Sequence, residues 1–139
     1  MCLLSLTGCQ RKQPPFDPAT TAQALVEEPG VFSETLEPLE ESVALALYGL
    51  EGREGVEVTS YHSTGATAEE VTVLRFADEE TAKAFVPRAQ IYLADQLEAN
   101  GGYRPLEIPK LEAARLERRG TDILLLVAAD YQAAEGLLG

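Results

Sequence analysis

Residues Gly120 to Asp130 read GTDILLLVAAD, an apolar run from Ile123 to Ala129 set between a glycine turn and an acidic residue. The run is apolar on both faces, so it reads as a strand in the middle of a sheet. Upstream, Arg119-Gly120-Thr121 turns the chain back toward a strand expected over Leu111–Glu117. Downstream, Asp130 is placed to cap a last helix ending near Leu138.

The remaining elements follow outward from that strand. Ala82, Phe85, Val86, Ala89, Tyr92, Leu93 and Leu97 recur at helical spacing, which predicts a long helix from Asp78 to about Asn100, kinked at Pro87 and ended by Asn100-Gly101-Gly102. Val56–Ser63 and Val71–Ala77 read as two strands joined by the turn-rich Thr64-Gly65-Ala66-Thr67. Asp17-Pro18 is a helix start, opening a helix to about Glu28 that Pro29-Gly30 stops. A shorter helix is expected over Leu39–Tyr48, with Glu40 and Glu41 in its first turn and Gly49 after its end. The order ααββαββα predicts an α+β fold: an antiparallel four-stranded sheet with helices packed on one face, formed by a single domain over residues 17–139. The length of 139 residues and the 45% hydrophobic content suit one domain with a core that needs no disulfide.

Charge is unevenly distributed. Of a net −12, the stretch Glu27–Glu80 carries fourteen acids against only Arg53 and Arg75, whereas Thr81–Gly139 is close to neutral. Such a chain is repelled by phosphate backbones, and no Lys/Arg cluster with interleaved aromatics appears, so nucleic acid is not an expected partner.

Leu6-Thr7-Gly8-Cys9 has the form of a bacterial lipobox: an aliphatic residue, two small ones that let the chain enter a peptidase site, then the cysteine whose thiol accepts a diacylglyceryl group. Residues 1–8 then read as the remnant of a signal peptide whose start is expected to lie upstream. Cys2 would be lost with it and Cys9 acylated, leaving the mature domain without a thiol nucleophile, a disulfide or a Cys-based metal site. Residues 9–16, with Pro14-Pro15, are expected to be a flexible tether. Its Arg11 and Lys12 are either headgroup contacts or ordinary linker residues. The longest uninterrupted apolar run after Cys9, Ile123–Ala129, is far short of the roughly 20 residues a membrane helix needs. The expected location is the extracytoplasmic face of the cell membrane, held by lipid on Cys9.

The lipobox, STGATAEEVTV at Ser63–Val73, YRPLEIPKL at Tyr103–Leu111 and GTDILLLVAAD at Gly120–Asp130 together resemble a family of uncharacterised lipoproteins from Gram-positive anaerobes, the domain of unknown function 4358. The resemblance runs from about Asp17 to the end of the chain. It implies a cell-envelope location and supplies no catalytic residue, substrate or cofactor.

Candidate chemistry is sparse. His62, the only histidine, could act as a base for Ser60, which shares its strand face, but not for Ser63, which points the other way. No G-x-S-x-G elbow surrounds Ser60, and a strand histidine with a local hydrogen bond is the simpler reading. Glu69-Glu70 and Asp78-Glu79-Glu80 are the densest acids. They could serve acid–base chemistry or calcium, but no calcium-loop pattern is present, Glu69 and Glu70 should diverge at a strand start, and the second group suits a helix N-terminus. Thr67-x-x-Glu70 matches a capping box, although the alternation after it favours a strand. Tyr103-Arg104-Pro105 reads as a ligand-contacting loop or a simple connection.

These observations favour a binding or adaptor module that recruits a basic envelope protein or a small ligand. Its face would centre on Ser63, Gly65, Glu69 and Glu70, with Gly65 allowing close approach and the glutamates pairing with Lys or Arg. The alternative is a small envelope enzyme working on wall or peptide substrates through carboxylates such as Glu69, Glu70 and Glu107. No cofactor and no metal are expected.

Overall fold

The computed structural model describes residues 13–139. The lipobox and Cys9 lie outside the described residues. Chain order is α1 (Pro18–Glu27), β1 (Glu37–Pro38), α2 (Glu41–Leu47), β2 (Glu57–His62), β3 (Glu70–Arg75), α3 (Glu79–Gly101), a 3-10 turn (Pro105–Glu107), α4 (Ile108–Glu112), β4 (Arg115–Arg119), β5 (Asp122–Val127) and α5 (Tyr131–Leu138). The fold is α+β, with a five-stranded, wholly antiparallel sheet in the order β1-β2-β3-β5-β4.

Local chemistry sets the helix starts. The side chains of Asp17, Asp78 and Asp130 accept hydrogen bonds from the backbone N–H groups of Thr20 (3.0 Å), Thr81 (2.8 Å) and Gln132 (2.9 Å), one cap for each of α1, α3 and α5. Pro87 removes one ladder bond from α3, yet the helix continues unbroken for 23 residues, about 35 Å. Between β4 and β5 the chain reverses through Gly120-Thr121, where Gly120 takes a φ of 63° that a β-carbon would resist.

Four features of the sequence reading need correction. The sheet has a fifth strand, β1, which pairs Glu37 with His62 and Pro38 with Tyr61 and is too short to show any alternation. The strand expected from Leu111 begins at Arg115, because Pro109 sits at the first turn of α4 and carries Leu111 into that helix. Helices cover both faces of the sheet, not one. Phe16, assigned to the tether, is 1% exposed and belongs to the core.

The two-sided packing follows from the register. Cross-strand partners share a face, so Val71 and Leu126, like Val73 and Leu124, point to one side, where Phe16, Ala22, Leu25, Val31, Leu36, Ala134 and Leu138 meet them. Leu74 and Ile123, with Leu125 and Val127, point to the other, beneath Ala44, Tyr48, Ala82, Phe85, Ala89 and Leu111. Thus α1 and α5 form one outer layer and α2, α3 and α4 the second. Arg75 and Asp122, themselves register partners, lock the central pair with two hydrogen bonds of 2.7 and 3.1 Å.

Arg119 fastens the start of the domain. Its guanidinium lies 4.1 Å from the centre of the Phe16 ring and donates to the Pro14 carbonyl at 3.0 Å. Order therefore begins before Asp17. Phe16→Ala should destabilise the domain by about 3–5 kcal/mol, the usual cost of emptying a buried phenylalanine site. Urea unfolding measures this, and a change within about 0.5 kcal/mol would mean that Phe16 is tether after all.

Candidate functional site

Glu70 opens β3 and Glu69 immediately precedes it, and the alternation of extended chain sends them to opposite layers. Both are buried, at 1% and 2% exposure. Neither carboxylate is presented to solvent, so the surface expected from Ser63, Gly65, Glu69 and Glu70 is not assembled. Ser63 is half-buried and accepts hydrogen bonds from the N–H groups of Gly65 (3.3 Å) and Thr67 (3.0 Å) within its own loop, leaving Gly65 exposed at the tip.

Glu69 enters the α1/α5 layer. It accepts from the Ser33 backbone N–H (2.8 Å), from the Ser33 hydroxyl (2.5 Å) and from Lys110 Nζ (2.7 Å). Lys110 also donates to Glu107, at 3.1 and 3.2 Å, and Glu107 accepts from the Ala68 N–H at 2.8 Å. Burial opposes the Lys110 charge, but the hydrogen bonds it donates to two carboxylates outweigh that and raise the ammonium above its ordinary pKa. Lys110 is thereby an ionic clamp between α4 and the residue that leads into β3.

Glu70 enters the α2/α3 layer and collects every polar group on that face of β2 and β3. Tyr48 and Tyr92 donate to its two oxygens at 2.5 Å each. Tyr48 Oη is 2.6 Å from Thr72 Oγ1, which is 2.5 Å from Ser60 Oγ. Each hydroxyl can give one proton and take another, so the chain Ser60→Thr72→Tyr48→Glu70 runs in one direction and ends on the Glu70 carboxyl group. His62 Nε2 lies 3.1 Å from Tyr48 Oη and 3.4 Å from Glu70 Oε1. With the Tyr48 proton already committed, His62 Nε2 is best placed as a donor. Ser60 and His62 do share a face, as the strand geometry requires, but the Ser60 hydroxyl is buried and turned to Thr72. The base–nucleophile reading fails on that geometry.

Desolvation is the largest influence on Glu70 and raises its pKa, against the opposing pull of His62 and the two tyrosine bonds. Burial followed by the Glu70 charge pushes both tyrosines up as well. They remain neutral donors. Among the described residues, no group of three His, Cys, Asp or Glu side chains could hold a metal ion.

The tyrosines also form the floor of a shallow groove between α2 and α3. Ala46, Leu47 and Gly49 line one wall, and Arg88, Ile91 and Asp95 the other. Tyr48 and Tyr92 pack edge to face with centroids 4.9 Å apart, and Arg88 donates to the Gly49 carbonyl at 3.2 Å. Val43, Leu47 and Ile91 are 50%, 43% and 63% exposed. None of Tyr48, Tyr92, Lys110 or Ser33 stood out in the sequence as a site residue. No family model matches the chain, and no curated protein and no solved structure shows significant similarity to it.

Two outcomes follow for the carboxylates. Because the folded pKa of Glu70 is raised above the ordinary 4.5, its burial is best tolerated below that pH and stability is lost as pH rises through the folded value. Glu70→Gln should therefore match the wild type near pH 4 and become progressively more stable than it toward pH 8, read as urea midpoints; a constant difference would remove the buried-charge account. Lys110→Met leaves Glu69 and Glu107 without their cation and should cost about 3–5 kcal/mol by the same measurement.

Proposed function

We propose that this chain is a lipid-anchored extracytoplasmic binding module of the cell envelope, recruiting a partner with basic character. The anchoring half rests on the lipobox form of Leu6-Thr7-Gly8-Cys9. The binding half rests on one observation: three carboxylates that could do chemistry are internally committed, while six exposed ones follow one another along a single edge region of the domain. Glu69, Glu70 and Glu107 are buried and saturated. Glu37, Glu40, Glu41, Glu51, Glu54 and Glu57 are all exposed, along β1, α2 and the segment leading into β2. This is the side where β1 forms the sheet edge against β2.

Such a surface attracts cationic groups over roughly a Debye length and favours partner contact over substrate turnover. The carboxylate-enzyme alternative loses the three acids it was built on, Glu69, Glu70 and Glu107, to internal hydrogen bonds. Two measurements test the reading. Mass spectrometry of the protein from its native membranes should find an N-terminal peptide beginning at diacylated Cys9; a peptide that crosses the Gly8–Cys9 bond intact would overturn the anchor. Crosslinking in intact envelopes should capture a protein whose recovery falls with added salt, and failure to capture any partner would overturn the module.

A further inference from the structure

We propose that the groove between α2 and α3 docks a basic amphipathic helix of a partner protein, an inference that rests on the binding-module reading and names its contact site. The groove offers apolar surface that the fold itself does not use. Leu47 of α2 and Ile91 of α3 line the groove and are both exposed, and Val43, exposed too, lies one turn before Leu47 on α2. Tyr48 and Tyr92 give the floor a fixed shape, because their hydroxyls are turned inward to Glu70 and the rings present carbon to the groove.

The occupant's conformation follows from backbone accounting. The wall residues lie on α2 and α3 or at the C-terminal end of α2, and no strand of the sheet runs along the groove, so it has no strand edge to offer an extended peptide. A segment lying there must satisfy its own backbone, and a helix does so. Its apolar residues at i, i+3 or i+4 and i+7 would meet Val43, Leu47 and Ile91.

Charge fixes the occupant's sign and direction. Gly49 meets Arg88 and Tyr48 meets Tyr92, so α2 and α3 run antiparallel. Glu40 and Glu41, at the start of α2, therefore lie toward the Asp95–Glu98 end of α3. All four are exposed, and none takes part in an ion pair among the described residues. At the other end the Arg88 guanidinium is spent on the Gly49 carbonyl. A helix with Lys or Arg concentrated at one end fits this rim in one orientation. An anionic lipid surface is repelled by it, and so is a second copy of a chain whose net charge is −12.

The probe is a synthetic helix of leucine and lysine, about five turns or roughly 18 residues long. Its leucines repeat at helical spacing and its lysines cluster at one end; a scrambled peptide of equal composition is the control. The purified protein should bind the patterned peptide at least about 10-fold more tightly than the scrambled one, with amide shifts confined to residues 40–49 and 88–98. Leu47→Asp combined with Ile91→Asp changes only exposed positions and should leave the melting temperature within about 2 °C while lowering affinity about 10-fold or more. Asp95→Lys with Glu98→Lys should weaken binding and flatten its salt dependence. Equal binding of the scrambled peptide, or unchanged affinity in the Leu47/Ile91 variant, would overturn the groove assignment. Envelope crosslinks that persist undiminished in that variant would also overturn it while leaving the binding module standing; the module fails only if the wild type captures nothing.

Discussion

β3 and β5 bury side chains on both of their faces, and the architecture is organised by the need to cover them twice. Two adjacent strands with Val71, Val73, Leu124 and Leu126 on one side and Leu74, Ile123, Leu125 and Val127 on the other cannot sit at an edge or face water. Each face recruits its own helices, so the chain must deliver α1 and α5 to one layer and α2, α3 and α4 to the other. The outer strands β1, β2 and β4 complete a width over which those helices can lie. At about 25 cal/mol per Å² of apolar surface removed from water, burial of this kind is the main term favouring the fold.

Buried polar groups decide the register within that apolar frame. Glu69 is matched to Lys110 and Ser33 on one side, and Glu70 to Tyr48, Tyr92 and His62 on the other. A slip of one residue would turn each carboxylate toward the wrong layer and strand its former partners, at about 1–3 kcal/mol for every buried group left unsatisfied. Hydrophobic content alone would tolerate such a slip far better, since both faces of β3 are apolar. The consecutive glutamates thus act together as an alignment device, a use that accounts for two acids where the chain enters a buried strand without invoking chemistry.

The sequence announced β5, the α3 stripe and the aspartate caps because each is written in contiguous residues with a clear period. It also implied that Glu69 and Glu70 diverge. It concealed β1, where Glu37-Pro38 is too short to carry alternation, and it misplaced the start of β4 because Pro109 opens a helical turn within a stretch that reads equally well as extended. Helices lie on both faces because β5, apolar on both sides, demands cover on both. The partners of the buried acids were not legible. Tyr48 and Tyr92 each stand 22 residues from Glu70, and Lys110 stands 41 from Glu69. Nothing local marks a tyrosine that will meet a buried carboxylate.

The sheet edges bear on how copies of the protein behave when crowded. One edge is the two-residue β1, closed by Pro38, which cannot donate to an incoming strand. The other is β4, where Arg115, Glu117 and Arg119 form a ladder in which Glu117 accepts from both arginines. A strand arriving at β4 would have to accommodate fixed charge at alternate positions, and one arriving at β1 would find almost no length to pair with. Sheets of neighbouring molecules therefore have no ready way to join into a continuous ribbon. At high surface density the molecules should jostle as separate particles, with their acidic sides keeping them apart.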